Sequence, residues 1–186
     1  MQIAPPAAAS ISMTSEPPAL DVDRLLTTLD RHDVDFVLVG GVAAIAYGAR
    51  GPTADLDCVA RRSSGNFDRL ATALRSLNAR LRVHGLTDEE AALLPTRIDK
   101  DTLGRMEIST WRTDAGDFDV LTGLPGRDGQ RLRYDELVDR ANIQDVHGIA
   151  VRVAALADVI PSKEWADRPK DREALVELRR LERRDG

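Results

Sequence analysis

The chain has 186 residues, 42% hydrophobic and 31% charged, with a formal net charge of −5 at pH 7. That balance describes a soluble globular protein of one domain, or one with a small appendage, able to bury about 70% of its unfolded surface. It excludes a membrane span, for no apolar stretch approaches the roughly 20 residues required. The bulk field does not favour nucleic acid, and the lone cysteine, Cys58, excludes an internal disulfide and fits the cytoplasm.

No basic residue precedes Arg24, and Pro5, Pro6, Pro17 and Pro18 crowd the start. This argues against a secretory signal and predicts a disordered leader over residues 1–19. Leu20 to His32 reads as an amphipathic helix capped by Asp21, with Leu25, Leu26 and Leu29 on one side. Phe36 to Val39 fits a buried strand that ends at a Gly40-Gly41 turn, where the glycines let the backbone approach a ligand. Val42 to Tyr47 opens a helix whose amides can hold an anion such as a triphosphate. A second strand carries Asp55 and Asp57. Asn66 to Asn78 is a helix with Phe67, Leu70, Leu74 and Leu77 as its core stripe. Thr87 caps a short helix through Leu94, with Glu90 placed for a capping box.

Met106 to Trp111 and Asp117 to Leu121 read as strands joined by the turn Asp114-Ala115-Gly116. A loop over 123–129 and a short helix from Tyr134 to Arg140 follow. Ile143 to Val146 and Ile149 to Val153 flank a turn at His147-Gly148. Two helices close the chain, Ala154 to Trp165 and Pro169 to Arg183, the latter with proline in its first turn. The order predicts an α/β (α+β) fold. A mixed β-sheet flanked by helices would occupy residues 20–153, and a small C-terminal helical appendage 154–186.

Asp55 and Asp57 sit two apart on a strand, so both point to one face. Two carboxylates beside a phosphate cradle suit a divalent metal serving phosphoryl or nucleotidyl transfer. The pattern needs its setting, because five D-x-D triplets occur in the chain. Asp117 and Asp119 form another such pair, with Asp119 inside its strand and Asp117 adjoining the turn. The three histidines share no ligand spacing and do not suggest zinc. Trp111 and Trp165 read as core or helix-packing residues. Of the 26 basic residues 23 are Arg, in clusters that suit either phosphate recognition or solvated helix faces, so an RNA partner is permitted by them.

The ordered set of strand, Gly40-Gly41, helix, Arg50, Thr53, Asp55 and Asp57, then Asp119, Ser162-Lys163 and Arg168-Pro169-Lys170-Asp171, resembles the nucleotidyltransferase superfamily typified by DNA polymerase beta. The later block is most similar to the MenT and AbiEii toxin-like branch. The resemblance implies Mg²⁺ held by Asp55, Asp57 and Asp119. It implies an NTP, CTP or UTP among the candidates, bound by Gly40, Gly41, Arg50, Thr53 and Lys163. It casts Lys163 as a catalytic phosphate contact and Asp171 as the residue that orients it or assists at the site. The implied acceptor is a tRNA 3′ end, the implied partner a cognate antitoxin, and Thr53 is implied as a phosphorylation site. A small-molecule enzyme of the antibiotic-modifying kind, a protein-modifying enzyme and an idle nucleotide- or partner-binding domain remain as alternatives.

Overall fold

The computed structural model describes residues 18–185, so most of the predicted leader lies outside the described residues. In chain order the elements are α1 (Val22–Arg31), β1 (Phe36–Val39), α2 (Gly40–Ala46), β2 (Asp55–Ala60), α3 (Ser64–Ser76), β3 (Arg80–Arg82), α4 (Asp88–Ala92), α5 (Lys100–Arg105), β4 (Ile108–Thr113), β5 (Gly116–Leu121), β6 (Leu124–Pro125), β7 (Arg131–Leu132), α6 (Tyr134–Val138), β8 (Asn142–Val146), β9 (Ile149–Val153), α7 (Leu156–Ala166) and α8 (Pro169–Asp185). Seven strands form one mixed sheet in the order β3-β4-β5-β2-β1-β9-β8, and β6 and β7 make a separate hairpin. β1 runs parallel to β9 and β2 parallel to β5, while the other neighbours are antiparallel.

Local chemistry explains most of these elements. Asp21 caps α1 by accepting the Arg24 N–H, and Leu25, Leu26 and Leu29 are buried, each contributing about 1.5–3 kcal/mol. In β1, Val37, Leu38 and Val39 are all fully buried, as an unbroken apolar run inside a covered sheet requires. Thr87 and Glu90 form the expected capping box on α4. The α3 helix begins before Asn66, because Ser63 accepts the Asn66 N–H and caps it. Asn66 itself is buried. Its side chain accepts from Asp35 N and donates to the Asp35 and Arg61 carbonyls, tying α3 to the ends of β1 and β2.

Four elements had no sequence expectation: β3, α5 and the two hairpin strands β6 and β7, the first of which falls within the expected loop over 123–129. β3 is only three residues, Arg-Leu-Arg, defined by pairing Leu81 with Trp111. α5 is fixed by Asp99, which accepts the Thr102 N–H. The core lies between the sheet and helices α1 and α3, with Leu56, Phe118 and Trp111 fully buried. Trp165 departs from its expected packing role. It is 58% exposed, with its indole lying over Gly129, where an added Cβ would come within 2.7 Å of the ring. Asp167 ends α7 in the left-handed conformation (φ 46°), and Pro169 starts α8 one residue after Arg168.

Candidate active site

The carboxylates converge because of strand register. Pairing of β2 with β5 sets Asp57 opposite Asp119 and Asp55 opposite Asp117. Alternation sends Leu56, Cys58 and Phe118 into the core and the aspartates to the other face. One carboxylate oxygen from each of Asp55, Asp57 and Asp119 lies within 4.8 Å of the others.

The expected Gly-Gly turn is tighter than a separate link, since β1 passes directly into α2 at Gly40. Gly40 has φ +71°, and a Cβ there would fall 1.9 Å from Asp57 Oδ2. A Cβ on Gly41 would fall 2.3 Å from Thr53 Oγ1. Both positions therefore let backbone press against site residues. The Thr53 hydroxyl is half-buried and donates to the Asp55 carbonyl at 3.1 Å.

Electrostatically the acidic corner is unsatisfied. Burial pushes the Asp57 carboxyl up to about 6, Asp55 adds to the rise, and the Gly41 N–H, Lys170 and Arg168 pull it back in part. Asp119 is pushed up to about 7, by burial first and then by Asp57 and Asp55. Its Oδ1 is buried with no hydrogen-bond partner among the described residues. An orphaned carboxylate oxygen facing two more carboxylates is a donor set that fits a hard divalent cation such as Mg²⁺. Asp117 shares the face but is held by Arg82 at 2.9 Å and Arg112 at 3.1 Å, so it stands outside the trio. Burial also pushes the Cys58 thiol up, which makes it an inert core residue.

Opposite this corner stands a cationic wall from α7 and α8. Lys163 Nζ donates to Asp171 Oδ1 at 3.2 Å, and Arg168 Nε donates to Oδ2 at 2.6 Å. Asp171 is fully buried. Burial alone would raise its carboxyl, but the hydrogen bonds from Arg168 and Lys163 outweigh it and hold the group below the ordinary value. Corner and wall bound one cleft of about 690 Å³, solvent-filled mouth included, a volume suited to a nucleotide. Gly41, Arg50, Thr53, Asp55, Asp57, Asp119 and Lys163 all line it, with Gly40 beneath Asp57 and Asp171 behind Lys163. Glu173 and the apolar Ile45, Pro52 and Ala174 also line it, and sequence reasoning did not single them out. For Ile45, Glu173 and Ala174 the available signal was helical spacing from Gly41 and Lys170; Pro52 lies in the loop before β2 and had none.

No protein-family model matches the chain, and no curated protein does. Solved structures do. The lincosamide antibiotic adenylyltransferase LnuA, lincomycin-bound, superposes with a TM-score of 0.56 at 12% identity, over 88% of this chain and 99% of that one. The antibiotic-resistance factor ANT(2″)-Ia superposes with a TM-score of 0.52 in two structures. Its complex with adenylyl-2″-tobramycin aligns at 15% identity over 86% of this chain and 89% of that one. The solution structure aligns at 14% over 85% and 78%. The mixed seven-stranded sheet with its helical C-terminal part is a nucleotidyltransferase-like fold.

Proposed function

We propose that the protein is a metal-dependent nucleotidyltransferase that moves a nucleoside monophosphate from an NTP to a hydroxyl acceptor. The observation that carries this reading is the corner of Asp55, Asp57 and Asp119, with its orphaned Asp119 oxygen, facing a cleft lined by Lys163, Arg168 and Lys170. An idle domain has no use for such an unsatisfied corner. Mg²⁺, when bound by the three carboxylates, would supply charge neutralisation at the transferring phosphate and the leaving pyrophosphate.

The chain's own residues divide the remaining work. Lys163, Arg168 and Lys170 take the triphosphate, and Asp171 fixes the first two so that little reorganisation is needed. Gly40 and Gly41 keep Asp57 and Thr53 close to the backbone at the cleft. Asp119 accepts the proton as the acceptor hydroxyl oxygen forms its bond to the α-phosphorus and the bond to pyrophosphate breaks. The acceptor approaches along the half-exposed sheet face beyond Asp119, where Thr110, Arg82 and Arg112 follow on β4 and β3.

The acceptor we favour is a tRNA 3′ end, which would make the protein the cytoplasmic toxin of a toxin–antitoxin pair. The Ser162-Lys163 and Arg168–Asp171 block supports it through its resemblance. A small-molecule acceptor is the second reading, supported by the likeness to lincosamide- and aminoglycoside-modifying folds over most of both chains.

Incubation with Mg²⁺, each α-labelled NTP and, in parallel, total tRNA, a lincosamide or an aminoglycoside tests both, with Asp55→Ala/Asp57→Ala as control. Label on tRNA only with the intact acidic pair is the expected result. Label on a lincosamide or aminoglycoside instead moves the acceptor to the second reading.

A further inference from the structure

Beyond the three aspartates of its acidic corner, the cleft contains one further carboxylate. Glu173 lines it, exposed on α8, and makes no hydrogen bond or ion pair among the described residues. A triphosphate gains nothing from that carboxylate, so another part of the ligand must account for it. Its position identifies which part. Arg168, just before α8, and Lys170, in its first turn, line the cleft together with the corner aspartates and are the cations assigned above to the phosphates. Glu173 lies three residues further along the helix, about 4.5 Å farther along the axis from Lys170. One turn beyond it, Glu177 accepts the backbone N–H of Arg50 and pins the loop carrying Gly51 and Pro52 against α8. Glu173 therefore stands between the phosphate end and this pinned loop.

The apolar residues that line the cleft are Ala44, Ile45, Ala49, Pro52 and Ala174, of which Ala49 and Pro52 flank the pinned Arg50 and Ala174 adjoins Glu173 in sequence. Small flat walls and a single carboxylate are the chemistry of a nucleobase subsite, not of a phosphate site. We propose that Glu173 reads the base of the NTP by accepting a hydrogen bond from an exocyclic amino group. Cytosine and adenine offer one such amine, and guanine offers an amine beside a ring N–H. Uracil offers its ring N–H only between two carbonyl oxygens, which the carboxylate repels. The cleft thus selects amino-bearing nucleotides and rejects UTP. This rests on the nucleotidyltransferase reading and deepens it.

Equilibrium titration of the whole chain with CTP, UTP, ATP and GTP, in Mg²⁺ and without acceptor, tests the idea. Wild type is expected to favour CTP over UTP by at least about tenfold, the worth of one hydrogen bond to a charged group. Glu173→Gln is expected to collapse that ratio towards one, and Glu173→Asp to retain part of it. Equal CTP and UTP affinities in the wild type overturn the proposal. So does a Glu173→Gln chain that binds all four nucleotides more tightly by the same factor, since that is only removal of a negative charge. Failure of every NTP to bind with Mg²⁺ removes the nucleotidyltransferase reading itself, an outcome distinct from loss of discrimination. Because Glu173 is exposed and unpaired, its replacement leaves the melting temperature in place as a control.

Discussion

The carboxylates on the two sides of the cleft fare in opposite ways. At the junction of α7 and α8, Asp171 is fully buried and takes hydrogen bonds from Lys163 and Arg168, and its carboxyl is held below the ordinary value. At the β2–β5 corner, the half-buried Asp57 and Asp119 crowd each other and Asp55, and both are pushed up, with one oxygen left without a partner among the described residues. Burial acts on both sets alike. The difference is a cation: the junction contains two in hydrogen-bonding contact, and the corner has none among the described residues. A satisfied carboxylate supports structure, and an unsatisfied one holds a place for a ligand.

Substitution is the strongest way to break this contrast. Asp57→Asn should lower transfer by on the order of 10²–10³-fold while raising the melting temperature of the metal-free protein, because it removes repulsion from the corner. Asp171→Asn should destabilise instead, by about 3–5 kcal/mol, since Lys163 would be left buried without its counter-charge. Chemical denaturation of the two variants compares them directly, and equal shifts of the same sign would erase the distinction. Gly40→Ala comes next. Its Cβ would overlap Asp57 Oδ2 at a positive φ, so it should cost more than about 1 kcal/mol and weaken metal binding together with stability.

Mg²⁺ should raise the melting temperature of the wild type and fail to do so in Asp57→Asn, an effect growing with the logarithm of concentration. The smallest effect is on pH dependence in a chelator. Asp57 and Asp119 titrate above their ordinary 3.8, so their contribution to stability is full below about 4 and is lost as pH rises through about 6 to 7. Asp171 titrates below its ordinary value, so its contribution is present above about 4 and is lost as pH falls through its lowered value. Melts across this range should show a metal-free maximum on the acid side of neutrality, which divalent cation extends upward.

Much of this arrangement was legible because it is local. The caps at Asp21 and Thr87, the apolar run Val37–Val39 and the alternation around Asp55 and Asp119 depend on neighbours in sequence, and the sheet kept them. The pairing of Asp57 with Asp119 could be expected only through resemblance, since parallel register between distant strands leaves no mark in either strand alone. Asp117 shows the same limit. Its two arginine partners come from β3, too short to have a period, and from β4. Glu173 was hidden for a different reason, as one of many acidic residues on an exposed helix. Only the cleft distinguishes it. Trp165 was misjudged because an aromatic on a helix usually packs inward, whereas here its ring finds the bare backbone of Gly129.

That stacking also gives the protein an optical asymmetry. One of its two indoles, Trp111, is sealed in the core with its N–H bonded to Ser109, so its emission has no reason to respond to a ligand. The other sits on α7 two residues after the cleft lysine, largely open to water and resting on a surface hairpin. Any tightening of α7 around a nucleotide would slide that ring across Gly129 and change its solvation. The chain therefore carries a native fluorophore at the edge of its cleft and an internal reference at its centre.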